Sequence, residues 1–213
     1  MIASLFDGLP AVSLTVFAAL ALLSLLTMTV AIFKVIQFAR LGVGRHAAAQ
    51  AVLDDWLNGR PDEAQRKAGA GSSVLTRVLA VTMSGLRARP AEPAYGEELA
   101  RQVALAELIQ MGARMRLLEA VVQMAPMLGL LGTVIGMIDA FGNLAQIEGA
   151  ADPRLLAAGI WTALTTTAAG LAIALVAYFL AAWLEGRIEQ ERQSIELAVS
   201  TAIHGRIATP ARG

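Results

Sequence analysis

Four threonines fall within six residues, Thr162, Thr165, Thr166 and Thr167, and a fifth, Thr133, lies about thirty residues earlier in another apolar stretch. A hydroxyl donates and accepts hydrogen bonds, so such a set can hydrate a path, relay a proton or coordinate an ion. It cannot hold charge near neutral pH. The one acid in these stretches is Asp139, toward the end of its stretch, where a solvated interfacial carboxylate outweighs a buried functional one. If protons or ions cross here, the missing titratable group must come from another chain. The alternative is packing alone, since a threonine can satisfy itself on the carbonyl one turn back.

Glycines accompany the hydroxyls. Gly129, Gly132, Thr133, Gly136 and Ala140 fall within about 100° on a helical wheel, and Gly159, Ala163, Thr167, Gly170 and Ala174 within about 80°. Two stripes this narrow let two helix backbones approach closely, and each interhelical hydroxyl bond adds about 1 kcal/mol or less. Packing residues Gly129, Gly132, Gly136, Gly159 and Gly170 would thus set the distance at which Thr133, Thr162, Thr166 and Thr167 line a path.

The elements that carry these residues must sit in lipid. The 213-residue chain is 56% apolar and 16% charged, far from soluble composition. A bilayer core of about 30 Å needs roughly 20 apolar helical residues, and 11–33, 120–142 and 156–184 qualify. The expected fold is all-α: an integral membrane protein with three transmembrane helices, two of them extended into long cytoplasmic helices. Twelve of seventeen basic residues lie between the first two spans, four follow the third, only Arg154 lies between the second and third, and none precedes the first. Basic residues near span ends stay cytoplasmic. This makes 1–10 a periplasmic amino terminus, 34–119 a cytoplasmic helical segment, 143–155 a periplasmic loop and 185–213 a cytoplasmic helical tail. The first span lacks a basic start and a cleavage site, so it reads as an uncleaved anchor rather than a secretory signal. Apolar all round, it reads as lipid-facing.

Within 34–119, helix is expected to run on past the first span with Gly42 and Gly44 as soft points, to resume over 47–57, to restart at Pro61, and to stop again at Gly69 to Ser73. An amphipathic helix is expected over 74–86 and a loop over 87–96. From Glu97 the pattern predicts one helix rising unbroken into the second span, and 183–203 prolongs the third. The inner segments are thus expected to be extensions of the membrane helices rather than a separate globular domain.

Several functions are excluded or disfavoured. Net charge is zero, so no nucleic-acid partner is indicated. There are no cysteines, no phosphate-binding Gly-Lys-Ser/Thr loop, and His46 and His204 lack metal-ligand spacing and read as surface residues. No enzymatic activity, cofactor or metal is expected. Three spans without inverted halves argue against a stand-alone carrier, and the lack of a charged or carbonyl-lined filter argues against a passive channel. A structural scaffold remains the rival to a proton path.

The stretches Ala125-Pro126-Met127-Leu128-Gly129-Leu130-Leu131-Gly132-Thr133-Val134-Ile135-Gly136-Met137 and Gly159-Ile160-Trp161-Thr162-Ala163-Leu164-Thr165-Thr166-Thr167-Ala168-Ala169-Gly170-Leu171 resemble the paired channel helices of the ExbB/TolQ/MotA stator family. Three spans place the chain nearer ExbB or TolQ than the four-span flagellar members. The resemblance implies a bacterial inner-membrane homo-oligomer, a pentamer, around two ExbD/TolR-like single-span subunits that each carry a membrane aspartate. Proton flow would drive rotation, with a TonB- or TolA-like protein as a further partner. It matches Thr133 and Thr167 to channel-lining threonines and Pro126 to the proline that opens span two. It also marks two departures: Thr162 stands where many relatives have glutamate, and Ala172 to Val176 lacks a late proline, which implies a straighter third span.

Overall fold

The structure is a computed structural model, and it describes residues 11–145 and 153–205. The segment 1–10, most of the loop expected at 143–155, and the last part of the tail lie outside the described residues. Seven helices follow in order: α1 (Ala11–Leu41), α2 (His46–Leu57), α3 (Pro61–Ala70), α4 (Val74–Ala88), α5 (Pro93–Gly112), α6 (Met115–Ala145) and α7 (Pro153–His204). Among the described residues there is no strand, and three stretches, Leu14–Leu57, Pro93–Ala145 and Leu156–His204, contain apolar helix long enough to cross a membrane. The all-α membrane architecture with long helices therefore holds.

The described residues divide into two compact units, one from the described parts of 11–32 and 114–182, the other from 33–113 and 183–205. In the first, α6 buries Leu118, Val121, Ala125, Gly129, Gly132, Gly136 and Ala140 at three- and four-residue spacing, one face of a helix. Along α7 the buried positions Ala163, Thr166, Ala174, Ala177 and Ala181 repeat the pattern. Val121, Ala125, Ala174 and Ala177 form a core to which α1 adds Leu23. Large apolar side chains point outward, including Leu130, Val134, Ile138, Leu164 and Leu171. This is the inverse of a soluble protein and follows from a solvent as apolar as leucine. The expectation that α1 only faces lipid is corrected: Val16, Leu20, Thr27 and Val30 are buried. A sequence apolar all round hides its packed face, because no polar stripe marks the other side.

Aromatic residues support the third span. Trp161 and Trp183 are exposed on α7 and about 33 Å apart along it at roughly 1.5 Å per residue. That separation matches a hydrocarbon core of about 30 Å with tryptophans at both interfaces.

The second unit has a core of its own, which corrects the view that these segments are only extensions of membrane helices. Val52, Ala64, Ala68, Val74, Val78, Leu79, Met83 and Ala100 are almost fully buried. Ser73 caps α4, its hydroxyl accepting from the Thr76 N–H at 3.2 Å, a bond that satisfies an otherwise orphaned helix-start donor. Arg77 grips Glu107 through two bonds of 2.8 Å and ties α4 to α5. Helix α4 continues to Ala88 and α5 starts at Pro93, so the loop expected over 87–96 shrinks to four residues. Pro93 serves as a first-turn residue, where its missing N–H is harmless.

Among the described residues, three charged groups in this unit are buried, Lys34, Asp55 and Glu191. Asp55, 3% exposed, lies 2.6 Å from both Lys67 and Arg60. The Lys67 hydrogen bond, with the charges of Arg60 and Lys67, holds its carboxyl below the usual aspartate value against the opposing effect of burial. A carboxylate so lowered stabilises the folded state fully above its unfolded value of about 3.9, and that contribution is lost as pH falls through the folded value. The melting temperature of the full chain should therefore drop on acidification below about pH 4, and Asp55→Asn should melt lower at neutral pH and show a shallower acid-side drop. An acid-side drop identical to wild type would mean other carboxylates carry it.

The helix expected to run unbroken from Glu97 into the second span is interrupted. Helix α5 ends at Gly112, and Arg114 adopts a left-handed φ of 66° before α6 begins. The carbonyls that this break releases are met by side chains from α1: Lys34 Nζ donates to the Met111 carbonyl at 2.6 Å and Gln37 Nε2 to that of Gln110 at 3.1 Å. At the other end of the chain, α7 runs without a break for 52 residues, so 183–203 prolongs the third span as expected. Pro126 lies inside α6.

Candidate functional site: the seam between α6 and α7

Small residues bring two backbones together along a line. A Cβ on Gly129 would sit 2.8 Å from the Thr166 carbonyl oxygen and 3.0 Å from the Thr167 Cα. One on Gly170 would collide with the Ala125 carbonyl oxygen and lie 3.2 Å from the Gly129 Cα. Gly136 faces Ala163, Gly159 faces Ala140, and Gly132 is closed in by Thr166 and by Val16 of α1. Each glycine of the two stripes therefore meets the opposite helix.

The close approach puts threonine hydroxyls within reach of the facing backbone. Thr166 and Thr167 both donate to one acceptor, the Gly129 carbonyl, at 3.1 and 2.9 Å. Thr166 is also 2.6 Å from the Ala163 carbonyl on its own helix. In an α-helix the same Gly129 carbonyl serves the Thr133 N–H, so Thr133 is one turn beyond the point where the hydroxyls converge. Its own hydroxyl donates to the Leu130 carbonyl at 2.6 Å. Thr162 and Thr165 likewise bond carbonyls one turn back, Ala158 and Trp161.

The threonines differ in what they meet. Thr166 is buried at 1% exposure and belongs to the packed seam. Thr133, Thr162 and Thr167 are half-buried and Thr165 is exposed. Thr133 also borders an open, largely apolar groove with Val134, Met137, Ile138 and Phe141. The structure therefore joins Thr166 and Thr167 at one carbonyl and leaves Thr133 bonded within α6. Each hydroxyl keeps acceptor capacity after donating its proton. A hydroxyl oxygen on the face of a seam, with one lone pair uncommitted, can receive a proton while passing on its own.

Sequence reasoning did not find the Gly129 carbonyl as the meeting point, because a wheel shows which residues share a face but not which facing atom each will reach. Nor did it find the burial of Asp139 Oδ2, which has no hydrogen-bond partner among the described residues. Asp139 as a whole is half-buried, so one oxygen of the expected interfacial acid is shut off.

A search of curated proteins finds no match to this chain. The sequence profile described as the MotA/TolQ/ExbB proton channel family matches residues 71–197, a span that takes in α4, α5, α6 and most of α7 and so includes the whole seam. Covering more than half the chain, that match shows that this protein belongs to the MotA/TolQ/ExbB proton channel family.

Proposed function

We propose that the chain is an ExbB/TolQ-like stator subunit of a bacterial inner-membrane, proton-driven motor, and that it delivers proton-motive force as work on transport or on the envelope at the outer membrane. On this reading it is not an enzyme. Its amino terminus is periplasmic and its carboxyl terminus cytoplasmic, following the basic residues. Several copies, a pentamer, surround ExbD/TolR-like single-span subunits that each carry a membrane aspartate, and a TonB- or TolA-like protein receives the work.

The observation that carries the reading is the pairing of hydroxyls with a shortage of acids. Thr167 and Thr166 converge on the Gly129 carbonyl, yet 11–33, 120–142 and 156–184 together hold one Asp, Glu, Lys, Arg or His. A hydroxyl path needs a charge-bearing carboxylate to accept the proton, and a partner supplies it. Each proton crossing 100 mV releases about 2.3 kcal/mol, so several must pass for one sizeable conformational step.

The satisfied hydroxyls of Thr166 and Thr167 also favour a second reading, a scaffold in which they only pack. Two measurements separate the readings. Native mass of the gently extracted complex should reveal a ring with a small acid-bearing chain. In membrane vesicles, Thr167→Val and Thr133→Val should keep that mass but lower proton flux about tenfold or more, in the range of a lost proton-transfer group. Unchanged flux with both valines, or recovery of the chain without an acidic partner, would favour the scaffold.

A further inference from the structure

The proton path proposed above places no acid of this chain in use, yet Asp139 has one carboxylate oxygen, Oδ2, shut off from solvent with no hydrogen-bond partner among the described residues. A buried carboxylate oxygen without a donor is costly, and the cost falls when the oxygen binds a proton or meets a donor from elsewhere. The position of Asp139 on the seam says what it would serve. It lies seven residues beyond Gly132, about 20° from it on the helix, and Thr162 lies four residues before Thr166, about 40° from it. Gly132 and Thr166 are in contact, and beyond them Gly136 meets Ala163 and Ala140 meets Gly159. Asp139 and Thr162 therefore share one side of the α6/α7 seam, in line with Thr166. Thr133 and Thr167 fall on the opposite side by the same arithmetic.

Among the described residues, other charges around Asp139 are few. Helix α1 offers none over 11–33, and α7 offers none from Leu155 to Leu184, so Arg154 in its first turn is the one charged residue of α7 near that end. On α6 itself the next charged residue is Glu119, more than five helical turns away.

We propose that Asp139 is a proton-binding site of this chain's own, which takes a proton at the C-terminal end of α6 and hands it along the side of the seam that carries Thr162 and Thr166. The proposal rests on the proton-driven reading for its purpose but not for its chemistry. In the binding step a hydronium ion gives its proton to the Asp139 carboxylate, leaving water and a neutral carboxylic acid. In the release step the acid O–H passes its proton to a water or hydroxyl oxygen on the seam, and the carboxylate returns. Thr162 donates to the Ala158 carbonyl and keeps lone pairs to receive it.

Two readouts test the proposal on the full chain. Infrared difference spectra of the protein in lipid nanodiscs, with aspartate carboxyls isotopically labelled, are recorded as the pH is lowered for wild type and Asp139→Asn. The expected result is a narrow, high-frequency C=O band of a carboxyl poor in hydrogen bonds, present in wild type and lost in Asp139→Asn. A broad, low-frequency band, that of a solvated acid, or no difference between the two proteins, overturns the proposal. In membrane vesicles that contain the native complex, Asp139→Asn should lower proton flux about a hundredfold and Asp139→Glu should restore it, while assembled mass stays unchanged. Wild-type flux in Asp139→Asn overturns the relay. If wild-type vesicles carry no flux, the stator reading fails, and the infrared band alone decides whether Asp139 binds a proton.

Discussion

Gly170→Val should prevent α6 and α7 from closing on each other, with the largest loss of stability expected of any single change in the membrane unit. The added Cβ would collide with the Ala125 carbonyl oxygen and lie 3.2 Å from the Gly129 Cα. Both are backbone atoms, so no side chain can rotate out of the way and the helices must separate. Separation also removes the Thr166 and Thr167 bonds to Gly129. Overpacking of this kind costs about 1–3 kcal/mol. In a membrane, where helix association depends on packing rather than on exclusion from water, little remains to offset it. Gly129→Ala, which meets the Thr166 carbonyl oxygen at 2.8 Å, should act in the same direction more mildly. Gly186→Ala is the control: nothing lies within 4 Å of its added carbon, and helix propensity alone should raise stability by up to about 1 kcal/mol. Thermal unfolding of the full chain in detergent checks all three. A Gly170→Val protein that melts with wild type would mean that the seam is looser than the close approach of Gly170 to Ala125 implies.

The small-residue seam was legible in the sequence because packing within a membrane is written in residue size at helical spacing. The wheel positions of Gly129, Gly136, Gly159 and Gly170 required no knowledge of the fold. Helix starts at Pro61 and Val74 were legible for a similar reason, since proline and a glycine-serine break act on their own neighbours. The features that escaped depend on distant partners. The break between Gly112 and Met115 has a glycine at its edge, but what completes it is Lys34 and Gln37, more than seventy residues earlier. The core of the second unit escaped because alanines such as Ala64, Ala68 and Ala100 read as helix formers, and nothing in their spacing announces that they are buried. In the candidate site, the residue types pointed to a hydroxyl path, whereas the convergence on Gly129 and the orphaned oxygen of Asp139 depend on the facing helix.

Lys34→Ala should be the most damaging single substitution in the second unit. Lys34 is 0% exposed, its ammonium donates to the Met111 carbonyl at 2.6 Å, and it lies 5.8 Å from the centre of the Phe38 ring. Alanine would leave a cavity where a long side chain is packed, a change that costs about 2–5 kcal/mol for apolar residues of similar size. It would also orphan a buried carbonyl at the end of α5, adding about 1–3 kcal/mol. Lys34→Met separates the two effects, because methionine fills most of the volume but donates nothing. The methionine protein should therefore fall between wild type and alanine in melting temperature. Hydrogen exchange tells where the loss occurs: amides at the C-terminal end of α5, around Gln110 to Gly112, should lose protection in both variants, while those of α4 around Val78 should lose it only if the unit opens as a whole. If Lys34→Met matches wild type in both stability and exchange, the buried ammonium does not hold the end of α5. Gln37, whose Nε2 caps Gln110 while its Oε1 stays buried without a hydrogen bond among the described residues, would then be the residue to replace, and Gln37→Leu should expose the same amides.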